Sequence, residues 1–248
     1  MKRIQAPIIG LCACLLLGMA AAQNQSQDMS NMPGMDPGGD HAVQAMESRH
    51  MDMGPHMKMT ALRSVRPGDR ERANEIVEQA RNAVAKYQDY RVALDEGYRI
   101  FLPNVPQKMY HFTNRRYALE AMFHFNPEHP TSLLYEKHGD DYKLIGLMYT
   151  APRRMSEDEL DKRIPLSIAE WHQHVNLCLP PMDRRGEMLE PNPQFGLRGS
   201  ISTKDACEAA GGRFIPHVFG WMVHMYPYER SEQAIWSVER QMHNHAAE

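Results

Sequence analysis

The chain is short of the features that usually announce a function. Only 8% of its 248 residues are aromatic, and Lys plus Arg (28) nearly balance Asp plus Glu (31). A formal net charge of −3 argues against nucleic acid as a partner, because neutralising phosphates needs a clustered excess of Lys and Arg. No Gly-rich phosphate loop, Gly-x-Ser-x-Gly elbow, Cys-x-x-Cys, His-Glu-x-x-His or Cys-x-x-Cys-His occurs. The common nucleotide, hydrolase, redox, zinc-protease and c-type haem motifs are therefore absent. With 42% hydrophobic and 24% charged residues the chain is not collagen-like, wholly disordered or a polytopic membrane protein. No internal repeat is visible.

What is present begins at the N-terminus. Lys2 and Arg3 precede an apolar stretch over residues 8–19 and then Ala20-Ala21-Ala22. That is the layout of a secretory signal peptide, here residues 1–22, too short to span a bilayer. No later segment approaches about 20 apolar residues, so no membrane span is expected once the signal is cleaved. The expected location is the bacterial periplasm or the secreted fraction. Cleavage removes Cys12 and Cys14 and leaves Cys178 and Cys207. In an oxidising compartment two cysteines most simply form one disulfide, worth roughly 3–4 kcal/mol for a loop of this length.

Residues 23–60 read as a disordered arm, rich in Pro and Gly and poor in branched or aromatic side chains that could form a core. Residues 61–248 read as one folded domain. Within it, Ala73, Ile76, Val77, Ala80, Ala83, Val84, Tyr87 and Leu94 recur at three- and four-residue spacing, predicting one amphipathic helix capped by Asp69 and ended at Gly97. Short strands are expected over residues 109–113 and 118–126. A hairpin is expected to join residues 132–137 to 142–150 through His138-Gly139-Asp140-Asp141. Ser156 and Glu159 form a capping box before a short helix that Pro165 must end. A long loop (180–200), a strand (217–226) and a closing helix (231–242) follow. The fold class is α+β: a single domain with a long N-terminal helix packed on a mostly antiparallel sheet, preceded by the arm.

Methionine is the anomaly. Eight of 19 methionines, namely Met29, Met32, Met35, Met46, Met51, Met53, Met57 and Met59, fall within 31 residues of the arm, interleaved with His41, His50 and His56. In a core, methionine is a gap filler. In a stretch without other apolar residues that explanation has little purchase. Thioethers are soft donors that need no deprotonation and suit Cu(I), while imidazole also accepts Cu(II). The segment resembles the Met/His-rich stretches of bacterial periplasmic copper-resistance proteins. The resemblance implies copper binding by the arm and says nothing of the fold that follows.

The folded part adds a second set of donors. In Trp171-His172-Gln173-His174-Val175-Asn176-Leu177, a strand places His172, His174 and Asn176 on one face; a helix, which the spacing of Ile168, Trp171, His172 and Val175 also allows, separates them. On the last strand Met222 and His224 share a face, with His217, Trp221 and Met225 on the other. Met109 with His111, and Glu120 with Met122 and His124, repeat the pattern. The candidate metal ligands are therefore His172, His174, His224, Met222, His111 and His124, together with Met29, Met32, Met35, His50, Met51, Met53, His56, Met57 and Met59 in the arm. The expected function is that of an exported metal-handling protein for copper binding, storage or tolerance, with zinc or iron as alternative ions. Its expected partners are the ion and another periplasmic metal-handling protein. A metalloenzyme with a mononuclear His site is the alternative, and an envelope interaction module without metal is the third.

Overall fold

Small and branched residues at helical spacing build helix α1, Asp69–Val84, in the computed structural model, which describes residues 54–237. Its buried stripe is Ala73, Ile76, Val77, Ala80 and Val84. Burying each of the larger of these stabilises by about 1.5–3 kcal/mol relative to exposure. The chain enters the helix through Gly68, whose φ of 87° is the left-handed conformation that glycine tolerates. Asp69 is thus the first helical residue, and its carboxylate accepts from the Arg66 backbone N–H and from Ser167 Oγ.

The single helix expected to reach Gly97 is broken. A 3-10 turn, Ala85–Gln88, follows α1, and a second short helix α2, Tyr90–Asp95, restarts after it. Asp89 is the cause: its backbone is extended and its side chain caps α2 by accepting from Arg91 N at 3.0 Å. The Tyr87 carbonyl released by the break is taken up by Tyr135 Oη at 2.7 Å.

Eight strands form the sheet: β1 (Met57–Met59), β2 (Tyr98–Ile100), β3 (Tyr110–Asn114), β4 (Ser132–His138), β5 (Asp141–Ala151), β6 (His172–Leu179), β7 (Arg213–His217) and β8 (Trp221–Met225). Their order is β1-β6-β8-β5-β4-β3-β2, with β7 paired to the second half of β6. Every strand pairing among the described residues is antiparallel. The domain is therefore α+β, a long N-terminal helix on an open antiparallel sheet. The expected hairpin is β4–β5, with Gly139 at φ 61° in its turn. The expected capping box is formed by Ser156 and Glu159 at the start of α4 (Glu157–Arg163).

Four expectations need correction. Residues 115–120 are helix α3, Arg115–Glu120, and not part of a strand over 118–126, because Asn114 Oδ1 accepts from the backbone N–H groups of Arg116 and Tyr117 and caps a helix there. The expected strand over 217–226 is two strands, β7 and β8, broken at residues 218–220. Gly220 permits the break: a Cβ there would lie 2.2 Å from the Ala151 carbonyl oxygen. The end of the arm is ordered, since Met57–Met59 are strand β1. The closing helix is shorter than expected: it spans Glu232–Ile235, capped by Ser231, and ends at Trp236, while residues 238–242 of the expected span lie outside the described residues.

The sheet has two unlike faces. One carries Tyr110, Phe112, Leu133, Tyr135, Leu147, Tyr149, Trp221, Val223 and Met225, and packs with the α1 stripe into the main core. The opposite face carries a smaller cluster of Met109, Leu134, Met148, Met222 and Tyr226. Cys178 and Cys207, which form the expected disulfide, close a third cluster with Phe195 that ties α5 (Lys204–Ala209) to β6.

Candidate metal centre

Residues 172–179 settle as strand β6, and the period of two then sorts the side chains. Trp171 enters the main core, while His172 and His174 go to the opposite face. The ladder fixes their neighbours. His172 stands directly across from Met59 on β1 and from Met222 on β8, and His174 stands across from Met57. On β8, His224 stands across from Met148 of β5, and on β3, His111 stands across from Leu134 of β4 with Met109 two residues before it. Directly paired residues project to the same side of a sheet. Histidine and methionine therefore share the face opposite the one packed on α1.

The four imidazoles form a row. Ring centres are 5.7 Å apart for His111 and His224, 5.2 Å for His224 and His172, and 5.5 Å for His172 and His174. A nitrogen bound at about 2 Å puts an imidazole centre roughly 3.2 Å from an ion, so two imidazoles on one tetrahedral ion have centres about 5 Å apart. The row has that spacing at each step. His172 is almost wholly buried, at 1% exposure, and His224 is buried, while His111 and His174 are half-buried.

Convergence of this kind requires a curled sheet. β3 and β8 are three ladder steps apart, about 14 Å if flat. Their imidazoles nevertheless come within 5.7 Å, so the sheet bends around the His face. Two local features accompany the bend. The β4–β5 register shifts between Leu134 and Tyr135, a bulge that increases twist. Gly146 lets Tyr226 lie against β5, for a Cβ at that position would be 2.8 Å from both the Met225 carbonyl oxygen and the Tyr226 ring. The two ends of the row are also joined at the rim. Phe101 N donates to the His111 carbonyl and Val218 N to the His174 carbonyl, and the exposed rings of Phe101 and Phe219 meet edge to face at 6.0 Å.

Among the described residues, no three His, Cys, Asp or Glu side chains are gathered closely enough to hold an ion by themselves. The donor set on this face is imidazole with thioether, and none of the direct ladder partners of the four histidines is acidic. Such a set suits a soft cation better than a hard one.

Other expected ligands are placed elsewhere. Asn176 does not continue the His172/His174 face: its φ of 57° breaks the alternation, and its amide donates to the Pro55 carbonyl at 2.7 Å. His56 alternates away from Met57, is buried, and donates from Nε2 to the Gly199 carbonyl at 2.7 Å. His124 and Met122 are exposed, and His124 Nε2 bonds Glu120 Oε1 at 2.9 Å. Glu120 also bonds His129 Nδ1 at 2.8 Å, and that ring stacks on Tyr117. Burial works to raise the Glu120 pKa, but the bonds from His129, Asn126 and His124 prevail and hold it below the ordinary carboxylate value. This is an ionised carboxylate tying a surface turn. Met29, Met32, Met35, His50, Met51 and Met53 lie outside the described residues. Met148 was not among the expected ligands, although its alternation with Tyr149 was a usable signal.

No family model, curated protein or solved structure matches the chain. Among the described residues no helix is long and apolar enough to cross a membrane.

Proposed function

We propose that the chain is an exported metal-handling protein that binds copper for storage or tolerance outside the cytoplasm, with the His/Met face as its folded site. The observation that carries the reading is the row of His111, His224, His172 and His174, spaced 5.2–5.7 Å and matched by Met59, Met222, Met57 and Met148 across the ladders. Imidazole and thioether are both neutral donors that copper accepts, and they are spread over five strands that the fold brings together. The Met/His-rich arm supports the same reading from the sequence, by bringing further donors of the same two kinds to the same chain. The Cys178–Cys207 disulfide accords with an oxidising compartment.

The test is equilibrium dialysis of the full chain without its first 22 residues against cuprous and cupric ions, followed by elemental analysis. The expected result is retained copper that the double variant His172→Gln/His224→Gln loses in part, as ions leave the face while the arm keeps its own. A chain that holds no copper above a matched control protein contradicts the reading.

A further inference from the structure

We infer that strand β1 makes the His/Met face selective for cuprous ion over cupric ion and zinc, with Met57 and Met59 supplying the deciding thioethers. The inference rests on the copper reading above and sharpens it.

Three observations place these two methionines in the folded site. The register puts Met59 directly across from His172 and Met57 directly across from His174, on the imidazole side of the sheet. Lys58 between them goes the other way, its ammonium 5.3 Å from the centre of the Trp221 ring on the core face. Met59 is also buried, at 8% exposure, with an imidazole as its ladder partner.

A three-residue edge strand would ordinarily fray, but β1 is fastened at both ends. Val175 N donates to the His56 carbonyl at 2.9 Å, Asn176 Nδ2 to the Pro55 carbonyl at 2.7 Å, and His56 Nε2 to the Gly199 carbonyl at 2.7 Å. Beyond Met59, Thr60 N donates to the Trp171 carbonyl at 2.8 Å, and Trp171 N returns a bond to Thr60 Oγ1 at 3.0 Å. The two sulfur-bearing side chains are thereby held beside the imidazoles before any ion arrives, which lowers the ordering cost of binding.

Selectivity follows from charge and softness. Met59 and Met222 flank His172 from both sides, so the buried middle of the row offers two thioethers to one ion. Thioether sulfur favours Cu(I), whereas Cu(II) and zinc are served well by nitrogen and oxygen. All of these donors are neutral. The cost of burying an ion rises with the square of its charge, so a monovalent cation is far cheaper to place beside His172 than a divalent one.

The experiment titrates the full chain without its first 22 residues, anaerobically, with Cu(I) against the cuprous chelator bicinchoninate, and separately with Cu(II) and with Zn(II). Wild type is compared with Met57→Leu/Met59→Leu and with the control Met182→Leu, an exposed methionine outside the ladders of the His/Met face. Leucine nearly conserves the volume of methionine. The β1 variant is expected to lose the tightest cuprous site by at least tenfold, with cupric and zinc affinities shifted less than twofold, while the Met182→Leu control stays within twofold throughout. Should the double variant melt below the titration temperature, Met57→Leu alone, at the less buried position, carries the test with an expected cuprous loss of at least threefold. Cuprous affinity unchanged in the β1 variant, an equal loss for all three ions, or an equal loss in the Met182→Leu control overturns the inference. Wild-type chain that binds neither copper ion removes the copper reading as well. Copper binding whose selectivity ignores Met57 and Met59 removes only this inference.

Discussion

The imidazole of His172 stands 5.2 Å from that of His224, centre to centre, with the two rings nearly perpendicular at 85°. The residues come from neighbouring strands and from opposite sides of segment 180–200, which was expected as a loop but holds a 3-10 helix, Met182–Leu189. If both hold one ion, they act as a unit, and their substitutions are not additive. His172→Gln and His224→Gln are each expected to weaken the tightest copper site at least tenfold, and the double variant to lose less than the product of the two. His124→Ala, in the surface turn around Glu120, is expected to change nothing. Competition titration of the four variants checks this; equal losses at His124 would dissolve the distinction between the face and the surface.

The curl of the sheet has its own test at Gly146. A methyl group there meets the Met225 carbonyl oxygen and the Tyr226 ring, both at 2.8 Å. Gly146→Ala is expected to destabilise by about 1–3 kcal/mol, the usual range for overpacking. Copper affinity should fall with it, because β5 and β8 are the strands that bring Met148 opposite His224. A thermal melt paired with the cuprous titration reads both; a normal melt with normal affinity contradicts the role given to this close approach.

Much of the face was legible in the sequence, strand by strand. The period of two was enough to put His172 with His174, Met222 with His224, and Met109 with His111. Relations that depend on tertiary structure were not legible. Nothing in Met57-Lys58-Met59 distinguishes it from the irregular arm before it; it becomes a strand because β6 presents an unpaired edge and because His56, Pro55 and Thr60 find partners there. The convergence of β3 with β8 comes from the curl, which no local pattern encodes. Two errors had local causes. Asn114 turned an apparent strand into a helix by capping it, and Asn176, in a left-handed conformation, ended the alternation one step early. The apolar stripe marks the main helix, but the same spacing runs across Asp89, whose side chain caps a new helix and breaks it.

Acid should loosen the segment that leads from β1 into α1. Burial works to raise the pKa values of Asp69 and Asp161. For Asp69 the bonds from Ser167 and from the Arg66 backbone, with the nearby Arg66 and Arg72 charges, outweigh it. For Asp161 the Leu166 N–H and the Arg66 guanidinium do the same. Both carboxyls are therefore held below the ordinary value of 3.8. Groups depressed on folding contribute stability that is fully present above their unfolded pKa and is lost as pH falls through the folded one. Denaturant melts should thus show stability level above about pH 5 and declining below about pH 4. Asp161→Asn is expected to cost about 1.5–3 kcal/mol at neutral pH, the range for hydrogen bonds to a charged group, and to flatten the acid decline. An unaltered acid profile in that variant contradicts the assignment.

The disulfide should matter for stability and not for the metal. Cys178 lies in the half of β6 that pairs with β7, whereas His172 and His174 lie in the half held by β1 and β8. Cys178→Ser/Cys207→Ser is expected to lose roughly 3–4 kcal/mol on the chain-entropy model. Its cuprous affinity, measured below the lowered melting temperature, should stay within twofold of wild type. A parallel collapse of affinity would show that the two halves of β6 are coupled.

The central claim is that one folded face, and not the arm alone, holds copper. It is tested most directly by a crystal structure of the copper-loaded chain with diffraction recorded on both sides of the copper absorption edge. The account predicts an anomalous peak on the side of the sheet opposite α1, about 2 Å from imidazole nitrogens of His172 and His224, with a methionine sulfur completing the contacts. Copper-loaded crystals whose anomalous peaks all lie away from these four histidines would contradict it.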